Sequence, residues 1–451
     1  MKKDKSQLIL HEKNMYKAFL VLSLPVMGAN FLKALHDMVD TFFVGQMENS
    51  VAAQAGMSIS WPLLNILLSF NVGLAVAGVA LISQFLGADQ NEEARHYSGL
   101  LLSASVITGV IVNALLFAVS PVIMRLMGAY GDVLTCAVDY LRIRSFEMVF
   151  VFMFTAFQAV RQAQGDTVTP VILSVISVIV NIIFTAVFIR IMNMGVKGAA
   201  YATVLGQAAV TPFILWGFFK GKSKFRLGIR DIILDGKGMK KLVRIAAPSA
   251  GSQALSSFGF LILQAVILDY GKEVSAAFSI GNKISNMLLI VVMAISTVMA
   301  AFVGQNIGAD NKERAQKSYI VSRNIALAMT FIGVIVLFPV RKFMVGLLSN
   351  DPRTIEITME YIFWVLFTQP LFAMFQNYLG VFNGSGNTRL SLWMSVARLW
   401  FMRLPMILVF KICTDLGRKG IWYSMVISNV LIVLLGHFLL KKVDYEPKIK
   451  S

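Results

Sequence analysis

Four residues able to carry charge, Lys33, His36, Asp37 and Asp40, fall within eight positions of a stretch that is otherwise apolar. From Met15 to Leu32 the only charge is Lys17, and FFVG follows the last aspartate but one residue. At about 100° per residue, Lys33, Asp37 and Asp40 lie within about 60° of one another on a helix, with His36 about 40° beyond. A charge at the centre of a bilayer costs roughly 2.5–3.5 kcal/mol, so this face must look into protein or a water-filled cavity. Two carboxylates one turn apart raise each other's proton affinity when partly desolvated. They then titrate as a pair and hold one proton near neutral pH. The same oxygens can ligate Na⁺ instead. Lys33, His36 and Asp37 have an equally good plain reading near an outer mouth, with Lys33 and Asp37 as a solvated i,i+4 pair. For Asp40 the cation-binding role is preferred. A cation taken up on one side and released on the other is what a secondary antiporter needs.

Other polar residues in apolar stretches are sparse. Asn181, Thr185 and Thr203 offer neutral oxygen ligands. Arg144 and Glu147, at i,i+3, read as a structural pair, near Arg142. Gln253, Gln264, Lys283, Gln376, Asn377, Arg398 and Arg403 fall in the second half. Of these, Gln253, Gln264, Gln376, Asn377 and Arg398, with His36, are the candidate lining of a substrate cavity. Apart from Glu147, deep carboxylates are confined to the first helix. The stretch FEMVFVFMFTAFQ at 146–158 is thick with Phe and Met, surfaces that repack around apolar cations. Phe turned toward lipid is the plainer expectation there.

Those side chains must be positioned by membrane helices. The chain of 451 residues is 57% hydrophobic and 14% charged, where a soluble protein carries about 25% charged residues. Its mean hydropathy is +0.71. Apolar runs recur that are long enough to cross a ~30 Å hydrocarbon core. They divide into about twelve spans: 15–43, 51–86, 96–119, 134–160, 168–191, 197–219, 245–269, 274–306, 318–340, 355–382, 390–411 and 419–440. With the N-terminus inside, inner loops and tails hold about 24 Lys and Arg against about 10 outside, which orients both termini to the cytoplasm. The net charge of +17 is therefore topology and attraction to anionic lipid, not a nucleic-acid surface. The basic N-terminus imitates a signal peptide but lacks a small-x-small cleavage site, and is expected to stay as the first helix. Cys136 and Cys413 support neither a disulfide framework nor a CxxC metal site.

The chain also repeats. QFLGADQNEEA (84–94) returns as QNIGADNKERA (305–315), QGDT (164–167) as SGNT (385–388), and Tyr140 as Tyr361, all 221 residues apart, while KGAAYATV (197–204) returns as KGIWYSMV one position later. Each copy holds about six helices, an even number, so the copies are parallel repeats. The expected fold is all-α, about twelve transmembrane helices in two six-helix repeats around a central cleft. The expected divisions are an N-lobe, 1–219, a basic cytoplasmic linker, 220–244, with a short amphipathic segment, a C-lobe, 245–440, and a cytoplasmic tail, 441–451. In the GAD loops, Gly87 and Gly308 are expected to stop their helices. Asp89 and Asp310 are then expected to cap the next ones, with Glu92 and Glu313 completing capping boxes.

VDTFFVG (39–45), ISQFLGAD (82–89), QAQGDTVTP (162–170), GAAYAT (198–203), VGQNIGAD (303–310), NGSGNT (383–388) and RLWFMRLP (398–405) resemble motifs of MATE transporters, the multidrug and toxic compound extrusion proteins. The resemblance covers nearly the whole chain and looks bacterial, nearer the DinF-like branch. It implies two six-helix lobes and export of organic cations in exchange for H⁺ or Na⁺, without a cofactor. Its coupling aspartate falls on Asp40, and its cation-site positions on Asn181 and Thr203, so any Na⁺ is expected at Asp40, Asn181 and Thr203. Many relatives read N-I-x-L-D where this chain reads NIIFT, placing Thr185 at the second acid. Many read Y-N-x-V-D where this chain has HDMVD, which adds Asp37. Asp37 is thus expected to replace the acid missing at Thr185, and the missing acid favours H⁺ over Na⁺. The expected setting is the inner membrane, as a multi-pass monomer in contact with lipid and small organic cations. The alternative is a flippase for a lipid-linked or amphipathic lipid substrate, which Arg398 and Arg403 keep open. An enzyme is not expected, since no metal-ligand spacing, GxSxG or P-loop occurs.

Overall fold

A backbone in hydrocarbon must satisfy its own polar groups, and each long apolar run here does so as a helix. The computed structural model describes residues 5–45, 50–220, 226–228, 231, 235–349 and 351–450, with the side chains of 5–7, 34–42, 44–45, 50–51, 53–54 and 450 outside that description. A short α1 (Lys5–His11) precedes α2 (Met15–Gly45), α3 (Ser50–Gly87), α4 (Asn91–Leu126), α5 (Gly131–Ala163) and α6 (Val168–Ala186). A π-helical turn, Val187–Ile191, prolongs α6 before α7 (Gly195–Phe219). The second half holds α8 (Gly236–Leu268), α9 (Lys272–Gly308), α10 (Lys312–Leu348), α11 (Pro352–Gly384) and α12 (Thr388–Val396). A second π-helical turn, Ala397–Arg403, joins α12 to α13 (Leu404–Cys413), and α14 (Lys419–Leu440) closes the order.

Eleven described helices are long and apolar enough to cross a membrane. The twelfth expected span is the rod 388–413, which the π turn divides into two short pieces. At 38 residues α3 is about 57 Å long, so it projects well beyond the hydrocarbon. The segment expected to be amphipathic in 220–244 lies largely outside the described residues; Leu227, which is described, is buried. Helix α8 starts on Asp235, whose carboxylate accepts from the amides of Lys237 (3.0 Å) and Gly238 (2.7 Å). Those bonds hold it below the usual carboxylate range.

The two copies of the repeat meet through α3 and α9. Helix α3 packs on α4 and α5 of its own half and on α8 and α9 of the other, and α9 packs on α10 and α11 and on α2 and α3. Their ends cross on the duplicated Q-x-x-G: a β-carbon on Gly87 would overlap the carbonyl oxygen of Gln305, and one on Gly308 would overlap that of Gln84. Helices α3 and α9 end on Gly87 and Gly308 as expected, but the rest of each GAD loop works differently. The two glycines permit helix–helix approach, and Asp89 (φ 57°) and Asp310 (φ 56°) adopt the left-handed turn, which short polar side chains tolerate. The next helices start on Gln90, without a side-chain cap, and on Asn311, which accepts from the Arg314 amide at 3.0 Å. The 146–158 stretch also departs from expectation. Met148, Phe152 and Phe157 are buried in the core and, among the phenylalanines of the stretch, only Phe146 is exposed, because α5 packs against α3, α4 and α7 at once.

Candidate functional site

Helices α6 and α7 come close because a β-carbon on Gly206 would lie 2.8 Å from the Ser177 carbonyl oxygen and 3.0 Å from the Asn181 β-carbon. Across that contact three of the expected site residues form one chain of hydrogen bonds. Thr185 donates to Asn181 Oδ1 (3.3 Å), Asn181 Nδ2 donates to Thr203 Oγ1 (3.2 Å), and Thr203 donates to the Ala199 carbonyl (3.0 Å). Thr185 is fully buried, Asn181 is 3% exposed and Thr203 8%. Helix α2 packs along α6 and touches α7, so the helix bearing Asp37 and Asp40 runs beside this chain. His36, Asp37 and Asp40 belong to the α2 backbone, and their side chains lie outside the described residues. Lys33 is exposed. At the far end of α2 the Arg190 guanidinium, from the first π turn, stacks 5.2 Å from the Phe43 ring.

Elsewhere in this half, the Arg144–Glu147 pair forms as expected, at 2.7 Å and nearly enclosed. A second intramembrane contact has no local signal in the sequence: Asn71 of α3 donates to Thr155 of α5 at 2.8 Å. Cys136 and Cys413 are both free thiols.

The second half separates the expected cavity residues. Ala246 and Ala250 of α8 lie against Gly73 of α3, where a β-carbon would meet them at 2.6–2.7 Å. Positions 246, 250, 253, 257, 260 and 264 form one stripe at helical spacing, and beyond the Gly73 contact Gln253 and Gln264 are exposed on it. Asn377 does not belong with them. It is fully buried, accepts from Ser322 of α10 and donates to the Ala373 carbonyl at 2.9 Å, so it ties α10 to α11 inside the core. Gln376 is half-buried, and its backbone carbonyl accepts from Ser296 of α9 at 2.7 Å.

Arg398 and Arg403 stand on the second π turn. Five residues on an α-helix are about 140° apart, whereas an i→i+5 turn brings them toward a common side. Arg403, 6% exposed, donates to Ser428 Oγ (3.1 Å) and Asn429 Oδ1 (2.9 Å) on α14. Nearby, Tyr361 of α11 donates to Asn282 of α9 at 2.8 Å and stacks on Trp422 at 4.5 Å. Arg398 lies over two rings of α11, Phe375 at 4.5 Å and Phe372 at 5.0 Å, and its buried Nε has no acceptor. Lys283 is exposed on α9.

At one end the two halves close on each other. Besides the two glycine crossings, Phe19 stacks on Phe302 at 4.1 Å, Gly304 abuts Ser83, and Gln305 Nε2 donates to the Ala163 carbonyl at 2.5 Å. The same end carries both termini: Arg314 binds the carbonyls of Ile9 (3.0 Å) and Glu12 (2.8 Å), and the Lys448 amide donates to Gln84 Oε1 at 2.7 Å.

A profile of the MatE family matches this chain twice, over residues 25–187 and 248–409, one match per repeat. Among curated proteins, the probable multidrug resistance protein NorM of Thermotoga maritima is 27% identical over 421 residues, spanning 91% of this chain and 89% of that one. The probable multidrug resistance protein YoeA of Bacillus subtilis is 23% identical over 97% of both chains. Among solved structures, an outward-facing multidrug resistance MATE family transporter of the MOP superfamily superposes with a TM-score of 0.91, at 22% identity and full coverage of both chains. That last likeness speaks for the fold.

Proposed function

The chain belongs to the MatE family, and on that footing we propose that it is a secondary antiporter that exports organic cations in exchange for H⁺ across the bacterial inner membrane. The observation that carries this reading is the buried Thr185–Asn181–Thr203 chain beside α2. Both threonine hydroxyls and the Asn181 amide nitrogen donate, and each acceptor oxygen used lies within the chain or on the helix backbone. A hard cation such as Na⁺ has to recruit several oxygens at once, and these are already engaged with one another. A proton needs one oxygen, and Asp40 supplies it, with Asp37 one turn away holding the shared affinity near neutral pH. Protonation neutralises the α2 face and thereby changes its preference between a cavity open to water and one closed over it. A ligand shifts such an equilibrium only through differential affinity for the two states, which a carboxylate with two environments provides. The shut end, bearing both termini, is the cytoplasmic one in this reading, and the protein works as a monomer.

The test is efflux of a fluorescent organic cation from proteoliposomes, driven separately by a pH gradient and a Na⁺ gradient, with wild type beside Asp40→Asn. Efflux driven by the pH gradient alone and lost in Asp40→Asn is the expected result. Efflux driven only by Na⁺ would reverse the ion, and none under either gradient would remove the antiporter reading.

A further inference from the structure

The two halves also meet where α2 and α10 begin. Arg314, in the first turn of α10, holds the Ile9 and Glu12 carbonyls, so the corner between α1 and α2 rests on the start of α10. Beside that contact lies an open groove of about 500 Å³, lined by Lys13, Met15 and Tyr16 from the first half and Lys317, Ile320 and Val321 from the second. Met15 and Val321 form a buried apolar floor, whereas Lys13, Tyr16, Lys317 and Ile320 are exposed. Over residues 12–17 and 313–323 five basic side chains stand against two acidic ones, Glu12 and Glu313. Lys317 pairs with Glu313 on the surface, a contact that water weakens. Tyr16 is held by a relay: Arg323 donates to Asn324 Oδ1 (3.1 Å), and Asn324 Nδ2 donates to the Tyr16 hydroxyl (3.0 Å), which keeps its own proton to give. Below this rim the exposed surface turns apolar. Leu20 and Leu24 follow Tyr16 one and two turns along α2, and Phe331 lies three turns beyond Ile320 on α10. Cationic and hydroxyl donors at the helix starts, with apolar side chains beneath, match a phospholipid with its phosphate at the interface and its chains in the hydrocarbon.

We propose that this groove docks one anionic phospholipid, whose phosphate accepts from Lys13, Tyr16 and Lys317 and so ties the first half to the second at the end where they close on each other. A headgroup bearing its own ammonium sets that charge against the two lysines, and an organic cation does the same, so the groove selects against both. The proposal goes beyond the export reading and stands whichever ion drives transport.

Full-length protein in mixed detergent micelles is given dimyristoyl phosphatidylglycerol or the phosphatidylcholine with the same chains, and bound lipid is counted by native mass spectrometry. Wild type is expected to retain one phosphatidylglycerol at least about tenfold more tightly than phosphatidylcholine, as two lysines near an anionic group allow. Lys13→Gln combined with Lys317→Gln is expected to remove that preference, and Tyr16→Phe to reduce it a few-fold. Lys441→Gln combined with Lys442→Gln removes two exposed lysines from the same end and is expected to leave it intact. Equal retention of the two lipids by wild type overturns the proposal, and so does a preference that survives in the folded Lys13→Gln, Lys317→Gln protein. An equal loss in the Lys441→Gln, Lys442→Gln protein overturns it in favour of bulk charge. Displacement by glycerol phosphate, the headgroup without chains, overturns it in favour of a free-anion site. The tie between the halves has its own readout in nanodiscs, with Ala163→Cys in a background without Cys136 and Cys413. Maleimide labelling is expected to be several-fold slower in phosphatidylglycerol than in phosphatidylcholine, with the difference lost in the Lys13→Gln, Lys317→Gln protein. Equal labelling in the two lipids would overturn the tie.

Discussion

Thr185 stands where the motif resemblance implies a second acid. The hydroxyl there is fully buried and donates to Asn181, so the residue completes a satisfied network. If Asp37 has taken over the missing charge, Asp37→Asn should lower coupled efflux by about tenfold, the size of a typical coupling free energy. Thr185→Asp placed in the Asp37→Asn background should recover it, with added sensitivity to Na⁺. Thr185→Val should leave stability within about 1 kcal/mol, since single side-chain hydrogen bonds within membranes contribute about that or less. Unaltered coupled efflux in Asp37→Asn, measured in the same proteoliposomes, would sink the exchange of roles. Residues of this kind are legible in a sequence because a polar side chain inside an apolar run is costly and stands out. What it touches is another matter. Asn377 has the same appearance as Gln253, yet one fastens α10 to α11 and the other lies open above the α3–α8 contact. Nothing local in the sequence separates the two, because the partner is set by which helices meet.

At the scale of the helix, number, order and repeat were readable from apolar run lengths and the offset of 221, and eleven spans plus the divided rod follow them. The interruptions were not. Both π turns carry arginine, Arg190 in the first and Arg398 and Arg403 in the second, but nothing local in the sequence marks either as π-helical. The GAD motif shows the same limit: its glycine and aspartate were visible, but their roles depend on a backbone 221 residues away. That dependence predicts a contrast between two substitutions of one type. Gly308→Ala drives a methyl into the Gln84 carbonyl and should cost about 1–3 kcal/mol as overpacking does, loosening the α3–α9 crossing. Gly346→Ala, where nothing lies within 4 Å, should be neutral or slightly stabilising. Thermal unfolding in detergent distinguishes them, and equal melting temperatures would mean that the crossing does not bear on stability.

Across the whole molecule, the shut end of the cleft is bound by chain segments outside the bundle as well as by the crossing itself. The C-terminal segment reaches back over that end. The Lys448 amide binds Gln84 of α3, Lys241 Nζ donates to the Ile449 carbonyl (3.2 Å), Asn387 donates to the Asp444 carbonyl (2.8 Å), and Lys312 pairs with Glu446. Since Gln84 stands at the α3–α9 crossing, undocking this tail frees one side of the contact that must part for the cleft to open there. Truncation after Leu440 should therefore raise, several-fold, the labelling of Ala163→Cys by an impermeant maleimide applied from the face that carries the termini, in a background without Cys136 and Cys413. Unchanged labelling would show that the crossing holds alone. The tail's own response to pH follows from Asp444. The Lys448 side chain, then the Glu446 amide, holds its carboxyl below the usual range. A depressed folded-state pKa contributes docking stability above the ordinary value and loses it as pH falls through the folded one, so Asp444 releases the tail only below about pH 4. Burial pushes the Tyr445 phenol up to about 12, far on the other side. Between pH 5 and 8 neither group changes the docking. A pH dependence of efflux in that range that persists after truncation would then originate inside the membrane, where the paired α2 carboxylates are expected to titrate, and its disappearance in Asp40→Asn would assign it there.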